Sequence, residues 1–316
     1  MKYQSSFFVF LFLLSTISQI MGQADISMAT HWYNRANYNP ASIARTDYLY
    51  LFSNVRQQWI GVDGAPQVVN FQASVYNSKI KSAFGISLVS DQIGLSQAIN
   101  PMLTYAYRIA DDNNHAFSMG ISAGIFSRFV NSNLFQPVED GDPALNYETD
   151  PILKPDINLG FEYQSDYLIA GISTTHLLSV ANVDSIYLNA NHRYAYLIFK
   201  NTNLELLNVY TGLQLVNRSN LNILEANASV RFKDPTGLTK GSRELFDLGI
   251  TYRTSKQMTF LVGWNISQNF RIGYAYDQSF VTGYNQNGSH EIMLEYRIPI
   301  KSAECIPCRN ADNWYR

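Results

Sequence analysis

The chain has 316 residues with 23 basic and 25 acidic side chains, a formal net charge of −2, so it offers no basic field for nucleic acid. Charged residues make up 15% of it, against about 25% in typical soluble domains. Aromatic residues reach 14%, including 21 tyrosines. This composition suits a surface that meets something other than water.

The first residues predict an exported protein. Lys2 supplies a positive start, Phe7 to Leu14 an apolar run, and "IMGQ" a cleavage site after Gly22. The apolar run is too short to cross a membrane as a helix, which disfavours an uncleaved anchor. We therefore expect residues 1–22 to be a signal peptide, and a mature chain that begins at Gln23 and has no membrane-spanning helix.

The rest of the chain alternates between apolar and polar residues, which is the pattern of β-strands. No amphipathic helix of ordinary length interrupts the alternation. We predict fourteen strands, at residues 48–57, 67–76, 83–91, 95–109, 116–130, 156–164, 167–176, 193–200, 206–217, 221–233, 245–253, 258–265, 270–277 and 291–298.

The two faces of these strands differ in chemistry. In "AFSMGISAGIF", the odd positions from Phe117 to Ile125 are apolar, whereas the even ones are Ser and Gly. A soluble sandwich also alternates, but export, length and tyrosines near many strand ends favour an outer-membrane barrel. We predict a transmembrane antiparallel β-barrel of about 14 strands (12–14) over residues 48–299, apolar side outward. Because unpaired backbone groups cannot be left in lipid, the last strand must pair with the first.

Connections in such barrels are short on the periplasmic side and long outside. The connections at residues 131–154, 177–192 and 278–290 are long and fall outside, where 131–154 either docks a partner or is simply a solvent-facing loop. "KDPTGLTKGSRE" is long but falls on the periplasmic side. Either this is a real periplasmic feature or the strand count slips by one there.

Two segments flank the predicted barrel. Residues 23–47 either enter the lumen as a plug or rest against the periplasmic rim, with a turn where Asn39 precedes Pro40. Residues 300–316 form a tail that we assign to the periplasm. Cys305 and Cys308 in it are too few for a structural zinc site, so a local disulfide or idle thiols fit better than a redox or metal role.

The run "GSHE" places Ser289, His290 and Glu291 side by side. Adjacent strand residues point to opposite faces, so the serine and the histidine cannot form a nucleophile–base pair. We predict no enzyme, no catalytic residue, no metal and no cofactor.

Charged residues near the closure seam are predicted to face the lumen. Pairs of opposite charge on neighbouring strands would satisfy each other there, and stiffening of the wall is favoured over gating or ligand binding. These residues are Asp247, Arg253, Arg271, Asp277, Glu291, Glu295 and Arg297.

Four pieces of the chain resemble the PorP/SprF family of outer-membrane proteins of the type IX secretion system in Bacteroidetes: "NRANYNPASIA", "KPDINLGFEY", "RIGYAYD" and "GSHEIMLEY". The first corresponds to the family's N-terminal element, here Asn39, Pro40 and Ala41. The family's pattern has Gly soon after it, where this chain has Ser42 and Ile43. The last two correspond to its C-terminal motif, here Gly273, Tyr274, Tyr276, Asp277, Gly288, Ser289, His290 and Glu291.

The resemblance implies a barrel that aids export or surface attachment of adhesin-like cargo carrying a type IX C-terminal signal. It also implies contact with the periplasmic lipoprotein ring, and links to gliding motility or secreted virulence factors. The alternative from a different class is an outer-membrane channel or transporter for a small apolar solute, because lumen charges and an N-terminal plug suit that function as well.

Overall fold

The computed structural model describes residues 28–44, 48–110, 115–130, 151–178, 191–218, 221–234, 244–280 and 288–300. The predicted signal peptide, the tail with Cys305 and Cys308, and most of the long outer connections lie outside these residues. No helix in the described ranges is long and apolar enough to cross a membrane.

Within those ranges the chain forms fourteen strands closed into one antiparallel barrel, in which each strand pairs with its neighbours in sequence. The first and last strands pair from Tyr48 opposite Pro299 to Gln57 opposite His290. The predicted closed β-barrel is therefore confirmed. The strands are β1 Tyr48–Gln57, β2 Gln67–Asn77, β3 Ser82–Ile93, β4 Ser96–Ala110, β5 Ala116–Val130, β6 Ile152–Gln164, β7 Leu168–Thr175, β8 His192–Asn201, β9 Leu207–Arg218, β10 Leu221–Lys233, β11 Glu244–Arg253, β12 Gln257–Asn265, β13 Phe270–Ser279 and β14 Ser289–Pro299.

The observed strand ends agree with the prediction to within two residues, except that β6 begins at Ile152 rather than Asp156. The additional residues pair with the long strand β5, with Arg128 opposite Ile152. Lys154 and Pro155 interrupt the alternation there, and proline has no amide donor for the ladder, so the sequence pattern concealed the start of this strand.

The apolar face of each strand points outward. In β5, Phe117, Met119 and Ile121 are exposed, while Ser118 and Ser122 are buried inside. The outer surface is thus hydrocarbon and the interior is polar, which is the reverse of a soluble protein and the arrangement of a barrel in lipid.

We call the end at which β1 begins and β14 ends the base, and the opposite end the mouth. Counting hairpins from Tyr48 places the connections after β5, β7 and β13 at the mouth and the connection between β10 and β11 at the base. The count of fourteen therefore holds, and the long stretch "KDPTGLTKGSRE" belongs to the base.

Residues 28–44 lie inside the barrel, and we call them the lumenal segment. They form three short 3-10 turns, Ala29–Trp32, Arg35–Asn37 and Pro40–Ile43. Asparagine side chains cap the second and third turns: Asn34 accepts from the Ala36 amide and Asn39 from the Ala41 amide. The polar wall residues around this segment form the candidate site.

Candidate functional site

The barrel wall holds the lumenal segment through four carboxylates on four different strands. Each of them accepts a hydrogen bond from, or forms an ion pair with, a different residue of the segment. They are Glu291 on β14, Glu225 on β10, Asp247 on β11 and Glu162 on β6. All four are buried, so each depends on these partners to offset the loss of water.

Glu291 binds the start of the lumenal segment. Its carboxylate accepts from the backbone amides of Ala29 (2.6 Å) and Thr30 (3.2 Å), and from the Thr30 hydroxyl. From β1 it also accepts from Asn54 Nδ2 (2.7 Å) and Arg56 Nη1 (3.3 Å). One side chain therefore joins the first strand, the last strand and the lumenal segment.

Arg35 and Glu162 form the most completely bonded contact. Arg35 Nε donates to one carboxylate oxygen at 2.8 Å and Nη2 to the other at 3.1 Å, which is the two-pronged geometry that makes arginine–carboxylate pairs strong. The hydroxyl of Tyr196 on β8 donates to the same carboxylate. Both charges are buried, so neither has water as a substitute for its partner.

Tyr33 and His31 contact the other two carboxylates. The Tyr33 hydroxyl donates to Asp247, and the Arg271 guanidinium lies 4.2 Å from the centre of the Tyr33 ring. Burial raises the pKa of Tyr33 well above its ordinary value, and the neighbouring Asp247 carboxylate adds to the rise, so the phenol keeps its proton and remains a donor. His31 Nε2 lies 2.9 Å from Glu225 Oε2.

Charges on the wall continue this network toward the mouth. Arg56 joins Glu291 to Asp277, and Arg253 joins Asp277 (3.3 Å) to Glu225 (3.1 Å). Positive and negative groups therefore alternate along a ladder that crosses the seam, and its two terminal carboxylates are the ones that contact Thr30 and His31.

The structure buries all seven charged residues predicted to face the lumen. Two of their contacts join neighbouring strands, as expected: Glu291 pairs with Arg56 of β1, and Arg253 pairs with Glu225 of β10. Two other contacts skip a strand, because Arg271 reaches Asp247 and Arg253 reaches Asp277 across β12. The strand between them carries the small Gly263, where a Cβ would overlap both Asp247 and Arg271. The other pair, Glu295 with Arg297, lies two residues apart on β14.

The Asn39–Pro40–Ala41 motif packs on wall glycines. A Cβ on Gly160 would overlap the Asn39 side chain, and one on Gly120 would overlap the backbone of Pro40 and Ala41. Asn39 Nδ2 also donates to the carbonyl of Phe161 at 3.0 Å. The N-terminal motif and the mid-chain "NLGFEY" thus contact each other, although they are far apart in sequence.

The C-terminal motif divides between the two faces of the wall. Asp277, Ser289 and Glu291 are buried inside, and Gly273 lies against Met293. Tyr274, Tyr276 and His290 point outward; the Tyr274 hydroxyl bonds His290 Nδ1, and the Tyr276 and His290 rings are 5.1 Å apart. Gly288 adopts φ +77°, and a Cβ there would overlap the Tyr276 ring, so glycine is needed at this position.

Several residues of the site were missed by the sequence analysis. Glu162, Glu225 and Arg56 each lie at inward-facing positions of predicted strands, so alternation alone was a sufficient signal for them. The charges predicted to face the lumen all lie on strands near the seam. The charged positions that receive the lumenal segment extend to β6.

Comparisons with known proteins give one family. The family described as type IX secretion system membrane protein PorP/SprF matches residues 20–296. No curated protein matches the sequence.

Among solved structures, the chain is similar to "TodX deltaS2S3 mutant monoaromatic hydrocarbon channel", with 10% identity, 89% of this chain and 96% of that chain covered, and a TM-score of 0.48. It is also similar to "CymD monoaromatic hydrocarbon channel", with 11% identity, 90% of this chain and 96% of that chain covered, and a TM-score of 0.47. A third similar structure is that of a Pseudomonas aeruginosa FadL homologue, with 12% identity, 87% of this chain and 94% of that chain covered, and a TM-score of 0.47. Likeness at this level carries no argument about what the barrel binds.

Proposed function

The chain belongs to the PorP/SprF family of type IX secretion system membrane proteins, and from this we propose that it is a non-enzymatic docking barrel for secreted, adhesin-like cargo. It acts in the outer membrane, where its apolar outer face meets lipid. The cargo carries a type IX C-terminal signal and is exported or retained at the cell surface with the help of this barrel. The periplasmic ring of the same system contacts its base, and nucleic acid is not a partner.

The occupied lumen is the observation that carries a docking role. The lumenal segment contacts β6, β10, β11 and β14 at once, and its third turn packs on the glycines of β5 and β6. A barrel filled in this way by its own lumenal segment leaves its two ends as surfaces for partners. The long connections at the mouth then face the cell surface, and the base with residues 300–316 faces the periplasm.

A non-enzymatic role fits the geometry of "GSHE". Ser289 is buried on the inner face, whereas His290 lies on the outer face with Nδ1 on Tyr274. The histidine is thus out of reach of the serine as a general base.

Co-purification tests the docking role. The tagged full chain is isolated from detergent-solubilised outer membranes of its own host, beside an unrelated barrel from the same membranes. We expect a large exported protein with a type IX C-terminal signal, or components of the ring, to be enriched with this chain alone. We also expect that deleting this chain removes that cargo from the cell surface. An unchanged surface level of every such protein would contradict the proposal.

A second candidate, a channel or transporter for a small apolar solute, is favoured by one observation, a cavity of about 140 Å³ beside the lumenal segment. The two functions differ in conductance. For a docking barrel we expect the full chain to be silent in planar bilayers, and a variant lacking residues 24–44 to conduct. Conductance or solute uptake by the full chain, equal to that of the deletion variant, would favour the channel.

A further inference from the structure

The cavity lies between the lumenal segment and the inner face of β2 to β10. On one side it is bounded by Tyr38 of the segment and on the other by Met102, Phe126 and Tyr194 of the wall. At about 140 Å³ it is close in size to the roughly 150 Å³ apolar cavity that admits benzene, so it has room for one bulky side chain.

The cavity is closed toward the base. An apolar cluster lies there between the lumenal segment and the wall, and Arg108 Nη1 donates to the Ala44 carbonyl at 3.3 Å. Toward the mouth the lining ends at Asp91, His176 and Arg218, which lie at or near the mouth ends of β3, β7 and β9. Among the described residues the base side is closed, so a ligand would enter from the mouth side. The cluster consists of Ile43, Ala44, Tyr76, Ala83 and Ala106.

Gln214 on β9 is a fully buried polar residue of the cavity. It is 1% exposed, it lines the cavity, and its Nε2 has no hydrogen-bond partner among the described residues. Nδ2 of the half-buried Asn37 is another such donor in the lining. A buried amide donor without a partner is unfavourable, so an acceptor brought to it gains a hydrogen bond. The missing group is an acceptor such as a carbonyl oxygen.

The same interior already binds a peptide, namely the lumenal segment. It does so with wall side chains that contact peptide backbone: Glu291 accepts from the amides of Ala29 and Thr30, and Arg108 donates to the Ala44 carbonyl. Gln214 continues this chemistry beyond the segment, in a lining that also offers the apolar surfaces of Tyr38, Met102, Phe126 and Tyr194.

We propose that this cavity receives one bulky apolar side chain of a protein that docks at the mouth, with the adjoining backbone carbonyl accepting from Gln214 Nε2. The inference rests on the docking function proposed above and gives it a site. The recognised element is an apolar residue in an exposed segment of the cargo, held by its side chain and by one peptide group.

The direct probe is N-acetyl-phenylalanine methylamide, a single residue with a peptide group on each side. Its binding to the detergent-solubilised full chain is measured by saturation-transfer NMR. We expect binding that Gln214→Leu weakens about fivefold, as for the loss of one hydrogen bond. Ala98→Phe, which fills the cavity from β4, should abolish it. Gln164→Leu is the matched control, because Gln164 is another buried inward glutamine but does not line the cavity.

Migration of unboiled samples on gels establishes that each variant is folded, and if Gln214→Leu does not fold, Ala98→Phe carries the test. Equal binding by the full chain and by the folded cavity variants would overturn the proposal. So would toluene, which lacks an acceptor, binding as well as the probe and with the same response to Gln214→Leu.

The outcome can be separated from that of the docking function. If the probe binds as expected while no cargo co-purifies, the pocket stands and the docking function fails. If cargo co-purifies equally with Gln214→Leu and the probe does not bind, the docking function stands and the pocket is overturned.

Discussion

The base half and the mouth half of the lumen hold the same segment by different means. In the base half, backbone and side chains of the third turn lie directly on Gly120 and Gly160, and an apolar cluster around Ile43 fills the remaining space. In the mouth half, contact is made mainly through charges and hydrogen bonds to Glu291 and Glu225, and a cavity remains beside the segment. The base half thus combines close packing with the buried Arg35–Glu162 ion pair, whereas the mouth half depends on charges and hydrogen bonds without close packing.

The largest effect is expected where shape alone decides. Gly160→Val places side-chain atoms where Asn39 now lies, so the third turn cannot stay in place. We expect the barrel to form but to conduct in planar bilayers, as the variant without residues 24–44 does. Ala123→Val on the outward face of β5 is the control and should stay silent. A silent Gly160→Val barrel would show that the glycine is not required for the seal.

The next effect concerns the buried ion pair of the base half. Arg35→Met leaves Glu162 buried without its main partner, so we expect a loss of about 3–5 kcal/mol in the free energy of unfolding. Denaturant titration in detergent measures it. The double variant Arg35→Met/Glu162→Leu removes both charges and should recover most of the loss. A double variant as unstable as the single one would contradict an explanation based on the unpaired charge.

A smaller effect is expected at the mouth. Glu291→Gln keeps the size of the side chain but presents a donor to a site that contains only donors, the amides of Ala29 and Thr30 together with Asn54 and Arg56. Because Arg56 keeps its ion pair with Asp277, we expect the free energy of unfolding to fall by about 1–3 kcal/mol, measured by denaturant titration in detergent. Arg193→Gln, on the exposed outer face, should leave stability unchanged. A decrease in the free energy of unfolding as large as that of Arg35→Met would contradict the expectation that the mouth half depends less on one charged pair than the base half does.

The smallest effect is expected from Tyr33→Phe. It removes one hydroxyl donor to Asp247, while Arg271 continues to pair with that carboxylate. We therefore expect the free energy of unfolding to fall by about 1 kcal/mol. The ring contact with Arg271 is kept, and Tyr33→Leu, which removes it as well, should be measurably less stable. Equal stability of the two variants would assign no role to the ring.

Much of the wall could be predicted from the sequence, because alternation reports directly on which face a residue occupies. It placed Arg271, Asp277 and Glu291 inside, and it placed the strand ends to within two residues outside β6. Alternation gives no information about distance across the lumen. The contacts of Arg35 with Glu162 and of Asn39 with Gly160 join residues more than 100 positions apart, and only the closed barrel brings them together.

The pairing over β12 shows a second limit. The expectation of neighbouring partners holds for Arg253 with Glu225, but alternation does not report on pairs that skip a strand. Gly263 leaves a gap through which Arg271 reaches the strand after next. The reach of a long side chain in a barrel thus depends on the small residues between the partners.

The position of Glu291 has a consequence for biogenesis. Its partners come from the beginning of the chain and from β1, yet it stands on the strand that is synthesised last. An unfinished barrel has no acceptor at this point for the amides of Ala29 and Thr30. Binding of the lumenal segment is therefore coupled to closure of the barrel. A barrel in which this segment is bound at Glu291 is one whose last strand is in place.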